Sequence, residues 1–369
     1  MLHLGLVSPL SPLYSSDIHH IAPQKVLLLN MKVYKFGGTS VGSPERMKEV
    51  SRLITEDGEP KVVVLSAMSG TTNSLVEIAD YLRKGNPEGA SNMVNRLHNL
   101  YKQHLPLLYS KEETTTKVRE RLDDIFLQLH EFRTREFSEA DEKAILAQGE
   151  IMSTNMVTEY LKECGVKAIL LPALDYMRLD VNGEPDLPYI RERLAYLLDK
   201  NPNYDIYITQ GFICRNADGQ IDNLQRGGSD YTASLIGAAI RANEIQIWTD
   251  IDGMHNNDPR FVEGTTPVRQ LNFEEAAELA YFGAKILHPT CVQPARYAGV
   301  PVRLKNTMDP QAPGTLINNE CEEGRIKAVA AKDNITVIKI VSSRMLLATG
   351  FMCKVFNVFD KYKTSIDMI

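Results

Sequence analysis

A lysine delivered to a pair of glycines is the phrase of this chain best suited to chemistry. Lys35-Phe36-Gly37-Gly38-Thr39-Ser40 follows the apolar pair Val33-Tyr34 and precedes a helical stretch. Without a Cβ, Gly37 and Gly38 let backbone N–H groups approach an anion closely and reach φ > 0. Thr39 and Ser40 add hydroxyls that can cap, and a helix start adds partial positive charge. In a Walker loop the lysine follows the glycines; here it precedes them, and no G-x-x-x-x-G-K-[ST] occurs in the sequence. Any phosphate held here is held by a different architecture. Taken alone, the phrase equally suits a plain Gly-Gly turn beside a surface lysine.

Three more phrases carry unusual residues. Arg226-Gly227-Gly228-Ser229-Asp230-Tyr231 repeats the glycine-into-helix arrangement with an arginine at its head. A guanidinium there can grip a carboxylate bidentately while helix N–H groups lie nearby, or it can be a solvated arginine before a capped helix. Gln148-Gly149-Glu150 sets a carboxylate inside an otherwise apolar helical segment. Unpaired buried charge is expensive, so Glu150 needs a partner, either a bound amine or a neighbouring lysine. Phe282-Gly283-Ala284-Lys285 ends a helix at a glycine and presents a second lysine, which in isolation reads as a surface residue.

The elements that must position these residues alternate along the chain. Short β-branched runs at 32–36, 61–66, 167–171, 206–210, 246–250 and 301–305 predict strands. Amphipathic patterns at 44–55, 73–84, 142–164, 229–241, 273–282 and 290–298 predict helices between them, and 89–137 reads as a polar helical hairpin. Strands apolar nearly throughout, each followed by a helix, indicate a mainly parallel sheet covered on both faces, a three-layer αβα sandwich of the α/β class. Its ligands are expected at the carboxyl ends of the strands. There lie Lys35-Phe-Gly-Gly, Ser66-Ala-Met-Ser-Gly, Gln210-Gly-Phe and Thr249-Asp-Ile-Asp-Gly. After Gly314-Thr-Leu-Ile the pattern changes: 335–341 alternates like a strand, 350–362 is helical and 365–369 begins another strand. That is the β-α-β opening of a small α+β region.

Bulk properties narrow the classes. The 369 residues are 43% hydrophobic and 24% charged, with a net charge of −6, which argues against nucleic acid or an anionic membrane as main partner. Cys164, Cys214, Cys291, Cys321 and Cys353 are scattered and never spaced C-x-x-C, favouring free thiols in a reducing compartment. No apolar run approaches the roughly 20 residues of a membrane span. Residues 1–30 carry three prolines, the pair His19-His20 and no basic residue before Lys25, so they show neither signal-peptide nor transit-peptide logic. Met31 is the expected natural start and the cytoplasm the expected location.

Taken together, these phrases resemble the aspartokinases of the amino acid kinase family. The likeness includes Lys35-Phe-Gly-Gly-Thr-Ser-Val, Ser66-Ala-Met-Ser-Gly-Thr-Thr-Asn73, Gln148-Gly-Glu150 and Gln225-Arg-Gly-Gly-Ser-Asp230. It continues through Trp248-Thr-Asp250, Asp258-Pro-Arg260 and Phe282-Gly-Ala-Lys-Ile-Leu-His-Pro289. The resemblance implies a three-part chain: an extension at 1–30, an amino acid kinase domain at 31–318, and a partial ACT regulatory region at 319–369. It implies ATP-dependent phosphorylation of the L-aspartate β-carboxylate, the first step towards lysine, threonine and methionine. A homodimer is implied too, impaired if the ACT region is incomplete.

An aspartate carboxylate, with a reference pKa near 3.9, needs no general base to act as nucleophile. The step needs positioning and positive charge around an in-line phosphoryl group. By resemblance, Lys35 neutralises that group, Gly37, Gly38 and Ser40 cradle phosphate, and Asp230 orients the lysine side chains. Arg226 would bind the α-carboxylate and Glu150 the α-amine, with Ser66, Thr72, Phe212 and Ser229 lining the substrate pocket. Thr249, Asp250, Arg260 and Lys285 would serve the nucleotide, and Mg²⁺ would ride on its phosphates without a dedicated protein cage. His255 stands where many members carry a tyrosine near the adenine; an imidazole still stacks, over less apolar area. Two rivals remain: another carboxylate kinase of the same fold, such as an acetylglutamate kinase, and a non-catalytic amino acid sensor. Arg226 with Glu150 favours a free amino acid over the first, and retention of Lys35 and Asp230 argues against the second.

Overall fold

The computed structural model describes residues 31–224, 227–282, 287–321, 324–342, 349–366 and 368–369. The chain divides into two compact units at Ala330/Ala331. In the first unit, β1 (Lys32–Phe36), α1 (Pro44–Thr55), β2 (Lys61–Leu65) and α2 (Thr71–Arg83) lead into the hairpin α3 (Pro87–Leu108) and α4 (Glu112–Glu131). The helix α5 (Glu139–Glu163), β3 (Ala168–Leu170), α6 (Leu187–Lys200), β4 (Ile206–Gln210), and the strands β5 (Ile213–Arg215) and β6 (Ile221–Asn223) follow. Then come α7 (Gly228–Ile240), β7 (Ile245–Thr249), β8 (Gln270–Asn272), α8 (Phe273–Tyr281), α9 (Gln293–Ala298), β9 (Val302–Asn306) and β10 (Thr315–Asn318).

Eight strands form one sheet in the order β3-β4-β2-β1-β7-β9-β10-β8, and β5 pairs with β6 as a separate antiparallel ribbon. All pairs in the large sheet are parallel except β9 with β10. Side chains alternate across a strand, and here both faces are buried. Val33, Val62 and Val64 join one core with α6 and α7, while Tyr34, Phe36, Val63 and Leu65 join the other with α1 to α5. That is why β2, Lys-Val-Val-Val-Leu, is buried at every position. The expected three-layer sandwich is thus found, with β1 near its centre.

Local signals set the helix starts. Ser43 caps α1, its side chain accepting from Arg46 N–H, with Pro44 in the first turn. Neither Thr39 nor Ser40 is that cap. A capping box between Ser138 and Asp141 starts α5. The helix expected over 290–298 is split into a 3₁₀ turn at Pro289–Val292 and the short α9. Helix α6, β8, β10 and the β5–β6 ribbon were not anticipated. The three-residue strands are too short to show a period, and α6 hides behind a polar loop ending in the Asp186 cap.

In the second unit α10 (Phe351–Lys361) forms within the helical stretch expected at 350–362. The expected strands at 335–341 and 365–369 do not: among the described residues neither has a ladder partner, and Val337 and Val341 are exposed. Alternation prepares a strand, but backbone N–H and C=O groups need a neighbouring strand to form one. Residues 319–330, expected to open the regulatory region, fall in the first unit. Among the described residues no helix is long and apolar enough to cross a membrane.

Lys61, the first residue of β2, is completely buried. Its Nζ donates to Ile54 O at 2.9 Å and Glu59 O at 2.7 Å and pairs with Asp57. This cation ties the end of α1 to the start of the strand. Lys61→Met keeps the bulk but strands three acceptors, so we expect a loss on the order of 2–4 kcal/mol, tempered because Asp57 is partly solvated. Urea unfolding measures it; an unchanged midpoint would exclude this tie as a stabilising element.

Candidate active site

Lys35 is the penultimate residue of β1, flanked in register by Val64 of β2 and Ile247 of β7. Its Nζ lies 2.7 Å from Oδ1 of Asp230, both side chains mostly buried. Asp230 stands in the first turn of α7, which begins after Gly227 in the left-handed conformation (φ 75°). Crowding explains the other glycines: a Cβ on Gly228 would meet Phe212 Cδ2 at 2.6 Å, and one on Gly211 would meet Ser229 Oγ at 2.4 Å. Phe212 itself holds φ 69°, an unfavourable conformation for a bulky residue, with its N–H donating to Thr232 Oγ1 at 3.0 Å.

Beside this pair opens a cavity of about 440 Å³. Gly38, Ser66, Thr72, Glu150, Phe212 and Ser229, all expected at the site, line it together with Ser69 and Asn73. Ser66 Oγ donates to Ser229 Oγ at 3.0 Å, joining the loop after β2 to the start of α7. Ser69 Oγ donates to the Gly38 carbonyl at 3.2 Å, joining the same loop to the glycine turn. A Cβ on Gly37 would lie 3.5 Å from Lys35 Nζ, in ordinary van der Waals contact, which places this turn directly beside the ammonium.

Glu150 is 5% exposed. One carboxylate oxygen accepts from Ala67 N–H at 3.2 Å. Burial pushes its carboxyl up to about 7, and that backbone hydrogen bond offsets only part of the effect. A neighbouring lysine, one of the two partners the sequence allowed, is absent from the causes of this shift, which are desolvation and backbone hydrogen bonds. A cation entering the cavity would therefore meet a carboxylate that gains by being paired.

The residues expected on the nucleotide side form a second group. Thr249 ends β7; its carbonyl accepts from Thr307 N–H at 2.7 Å and its hydroxyl donates to Asp250 Oδ1 at 3.0 Å. Ser40 is buried with its hydroxyl 2.9 Å from Thr307 Oγ1, so it braces the glycine turn against the end of β9. His255 has both ring nitrogens engaged, Nδ1 at 3.0 Å from Thr265 Oγ1 and Nε2 at 2.6 Å from Asp252 Oδ1. Its ring is held in place and only the faces are left for stacking. Arg260 grips Asp258 in a fork, Nε at 2.9 Å and Nη2 at 2.5 Å. Arg226 and Lys285 lie outside the described residues.

Sequence reasoning missed two contributors. Cys291 packs against Gly227, where a Cβ would come within 2.4 Å of its sulfur, and burial pushes its thiol up to about 12. Nothing local marks that contact, which spans the chain from α7 to the turn before α9. Ser153 was legible in principle, being three residues after Glu150 on the same helix face.

Comparison with known proteins follows this geometry. The profile described as the amino acid kinase family matches residues 30–306. Aspartokinase 1, chloroplastic, of Arabidopsis thaliana is 37% identical over 355 residues, covering 91% of this chain and 61% of that protein. Lysine-sensitive aspartokinase 3 of Escherichia coli (strain K12) is 35% identical over 341 residues, covering 91% of this chain and 75% of that protein. Among solved structures, E. coli aspartokinase III in complex with aspartate and ADP (R-state) matches with a TM-score of 0.77 at 33% identity, over 92% of this chain and 76% of that one. The chain thus spans about 61% of the length of the Arabidopsis relative.

The raised Glu150 carboxyl has a consequence for stability. Unfolded, it would titrate in the ordinary carboxyl range near 4.5; folded, at about 7. Between these values the native state binds the extra proton, so native stability falls as pH rises through that window. Glu150→Gln removes the loss. We expect the variant to melt above the unliganded wild type at pH 8, by on the order of 1–3 kcal/mol, and the gap to close near pH 4.5. Identical melting curves at both pH values would show that Glu150 is not desolvated in solution.

Proposed function

We propose, for a chain that belongs to the amino acid kinase family, the ATP-dependent phosphorylation of L-aspartate at its β-carboxylate. The observation that carries this reading is the cavity itself. A buried carboxylate without a cationic partner faces it from α5, and the Lys35–Asp230 pair stands beside it at the start of α7. A zwitterionic amino acid with a second carboxylate supplies the missing charges. The E. coli relative whose structure was solved with aspartate and ADP supports the same choice of substrates.

In this mechanism the ammonium of aspartate pairs with Glu150 and its α-carboxylate with Arg226. The β-carboxylate is then directed past Ser66 and Ser229 towards the glycine turn. One of its oxygens attacks the γ-phosphorus of ATP; that P–O bond forms as the bond from γ-phosphorus to the β,γ-bridging oxygen breaks, and the electron pair leaves on ADP. Charge on the phosphoryl oxygens is met by Lys35, which Asp230 holds in place, and by backbone N–H groups near Gly37 and Gly38. Thr249, Asp250, His255, Arg260 and Lys285 are assigned to the nucleotide, and Ser40 supports the turn from beneath. Mg²⁺ is assigned to the phosphates of ATP, whose oxygens suit a hard cation.

Residues 319–369 belong in this reading to an ACT-like regulatory region, supported by α10. The exposed apolar residues Val337, Ile338, Val341 and Val358 support a homodimer formed through this region. Five free cysteines support a reducing compartment such as the cytoplasm.

The direct test is ADP release that requires both ATP and aspartate, with glutamate and N-acetylglutamate as controls. Release with N-acetylglutamate in place of aspartate would overturn the substrate. Lys35→Ala should lower turnover by roughly two to three orders of magnitude, the scale for losing one electrostatic catalyst, with circular dichroism preserved; full turnover in the variant removes Lys35 from the chemistry. Arg226→Lys keeps charge but loses the fork, so KM for aspartate should rise sharply while KM for ATP stays put. Equal weakening of both would move Arg226 to the phosphates.

A further inference from the structure

A single peptide unit is held at both ends by one turn of α5. Ser153 Oγ donates to the Ser66 carbonyl at 2.8 Å, and Ala67 N–H donates to Glu150 Oε1 at 3.2 Å. That C=O and that N–H belong to the same Ser66–Ala67 peptide. Residues three apart share a helix face, so Glu150 and Ser153 form a two-point clamp. Packing closes on the same place. A Cβ on Gly149 would come within 2.7 Å of Ala67 Cβ, and one on Gly38 within 3.0 Å of the Ala67 carbonyl oxygen.

Ser153 is fully buried and is not among the residues lining the cavity. Its hydroxyl has an acceptor on its own helix, the Glu150 carbonyl at 3.2 Å, which would satisfy it without any distant partner. The shorter contact goes to the loop instead. From the clamped peptide, the Ser66 side chain reaches Ser229 at 3.0 Å, and the Ser66 N–H donates to Phe36 O at 3.1 Å. Ser66 therefore links α5 through its carbonyl, the end of β1 through the N–H of the preceding peptide unit, and the start of α7 through its hydroxyl.

We infer that Ser153 is a positioning residue: it fixes the tilt of the Ser66–Ala67 peptide and thereby the register of the Ser66 hydroxyl and the Glu150 carboxylate on the amino-acid side of the cavity. Removing its hydroxyl leaves the Ser66 carbonyl without this donor. The peptide then turns, and Ala67 N–H loses its alignment with Glu150. Thr249 and Asp250 lie at the end of β7 and are not joined to this peptide through α5, whereas Ser66 and Glu150 are bonded to it directly, so the effect falls on the amino-acid side of the cavity. The inference rests on the proposed aspartate kinase reaction for its substrate, and on geometry alone for the clamp.

The test uses Ser153→Ala in the full chain, with two readouts. Amide hydrogen exchange, which needs no substrate, should accelerate over residues 66–72 while protection of 61–65 in β2 is retained. Steady-state kinetics should show KM for aspartate raised about three- to tenfold, the loss of one net hydrogen bond, with KM for ATP and kcat near wild type. Wild-type exchange over 66–72 overturns the clamp whatever the enzyme phosphorylates. Faster exchange with an unchanged aspartate KM overturns the link to substrate, as does an equal rise in both KM values. If the wild-type chain releases no ADP with aspartate, the proposed function falls and takes the substrate half of this inference with it. If the wild type is active and only Ser153→Ala behaves normally, this inference alone falls.

Discussion

A charge at the end of a buried strand is the constraint around which this site is built. Lys35 sits between two parallel neighbours in the middle of an eight-stranded sheet, and an ammonium there is costly without a counter-charge. Asp230 supplies it from the first turn of α7. For that turn to come close enough, the chain before it must pass tightly against the loop after β4, and side chains at Gly211 and Gly228 would collide with Ser229 and Phe212. Gly211 and Gly228 are thus steric consequences of placing Asp230 against Lys35. Any capacity of these turns to bind phosphate is built on the same close approach.

The sheet also decides which side of the site each residue can reach. Residues on the β2 side of β1 arrive through the loop after β2 and through α5 and meet the cavity from one flank: Ser66, Thr72 and Glu150. Residues after β7 arrive from the other flank, where Thr307 joins Ser40 to Thr249. Lys35 stands between the two, on the strand that touches both β2 and β7. A central parallel strand is therefore the natural seat for a group that must meet the atoms exchanged between two substrates.

Much of this was legible in the sequence because it is local. The strand runs and the glycine turns are written in consecutive residues, and α1 runs over the expected 44–55. What depended on distant partners was not. The 335–341 run has a strand's alternation but acquires no ladder among the described residues, because alternation specifies a face and not a neighbour. Ser40 was assigned to phosphate by the family resemblance, and its hydroxyl lies against Thr307, which is remote in sequence. The fork of Arg260 on Asp258, two positions away, was likewise not written in the residue types. Such pairings are set by loop geometry that residue type alone does not encode.

Glu150 shows how stability and binding are set against each other in this cavity. Gly149 lets α5 approach Ala67 so closely that the carboxylate beside it loses water, and the backbone hydrogen bonds it gains do not replace that hydration. A well-hydrated glutamate would already be satisfied and would gain little from an incoming ammonium. A desolvated one binds that ammonium with the free energy that folding left unrecovered, because the interaction is made in a region of low dielectric. In the proposed reaction, the same close packing that costs the empty protein stability as pH rises is what would favour a cationic amino group in the cavity.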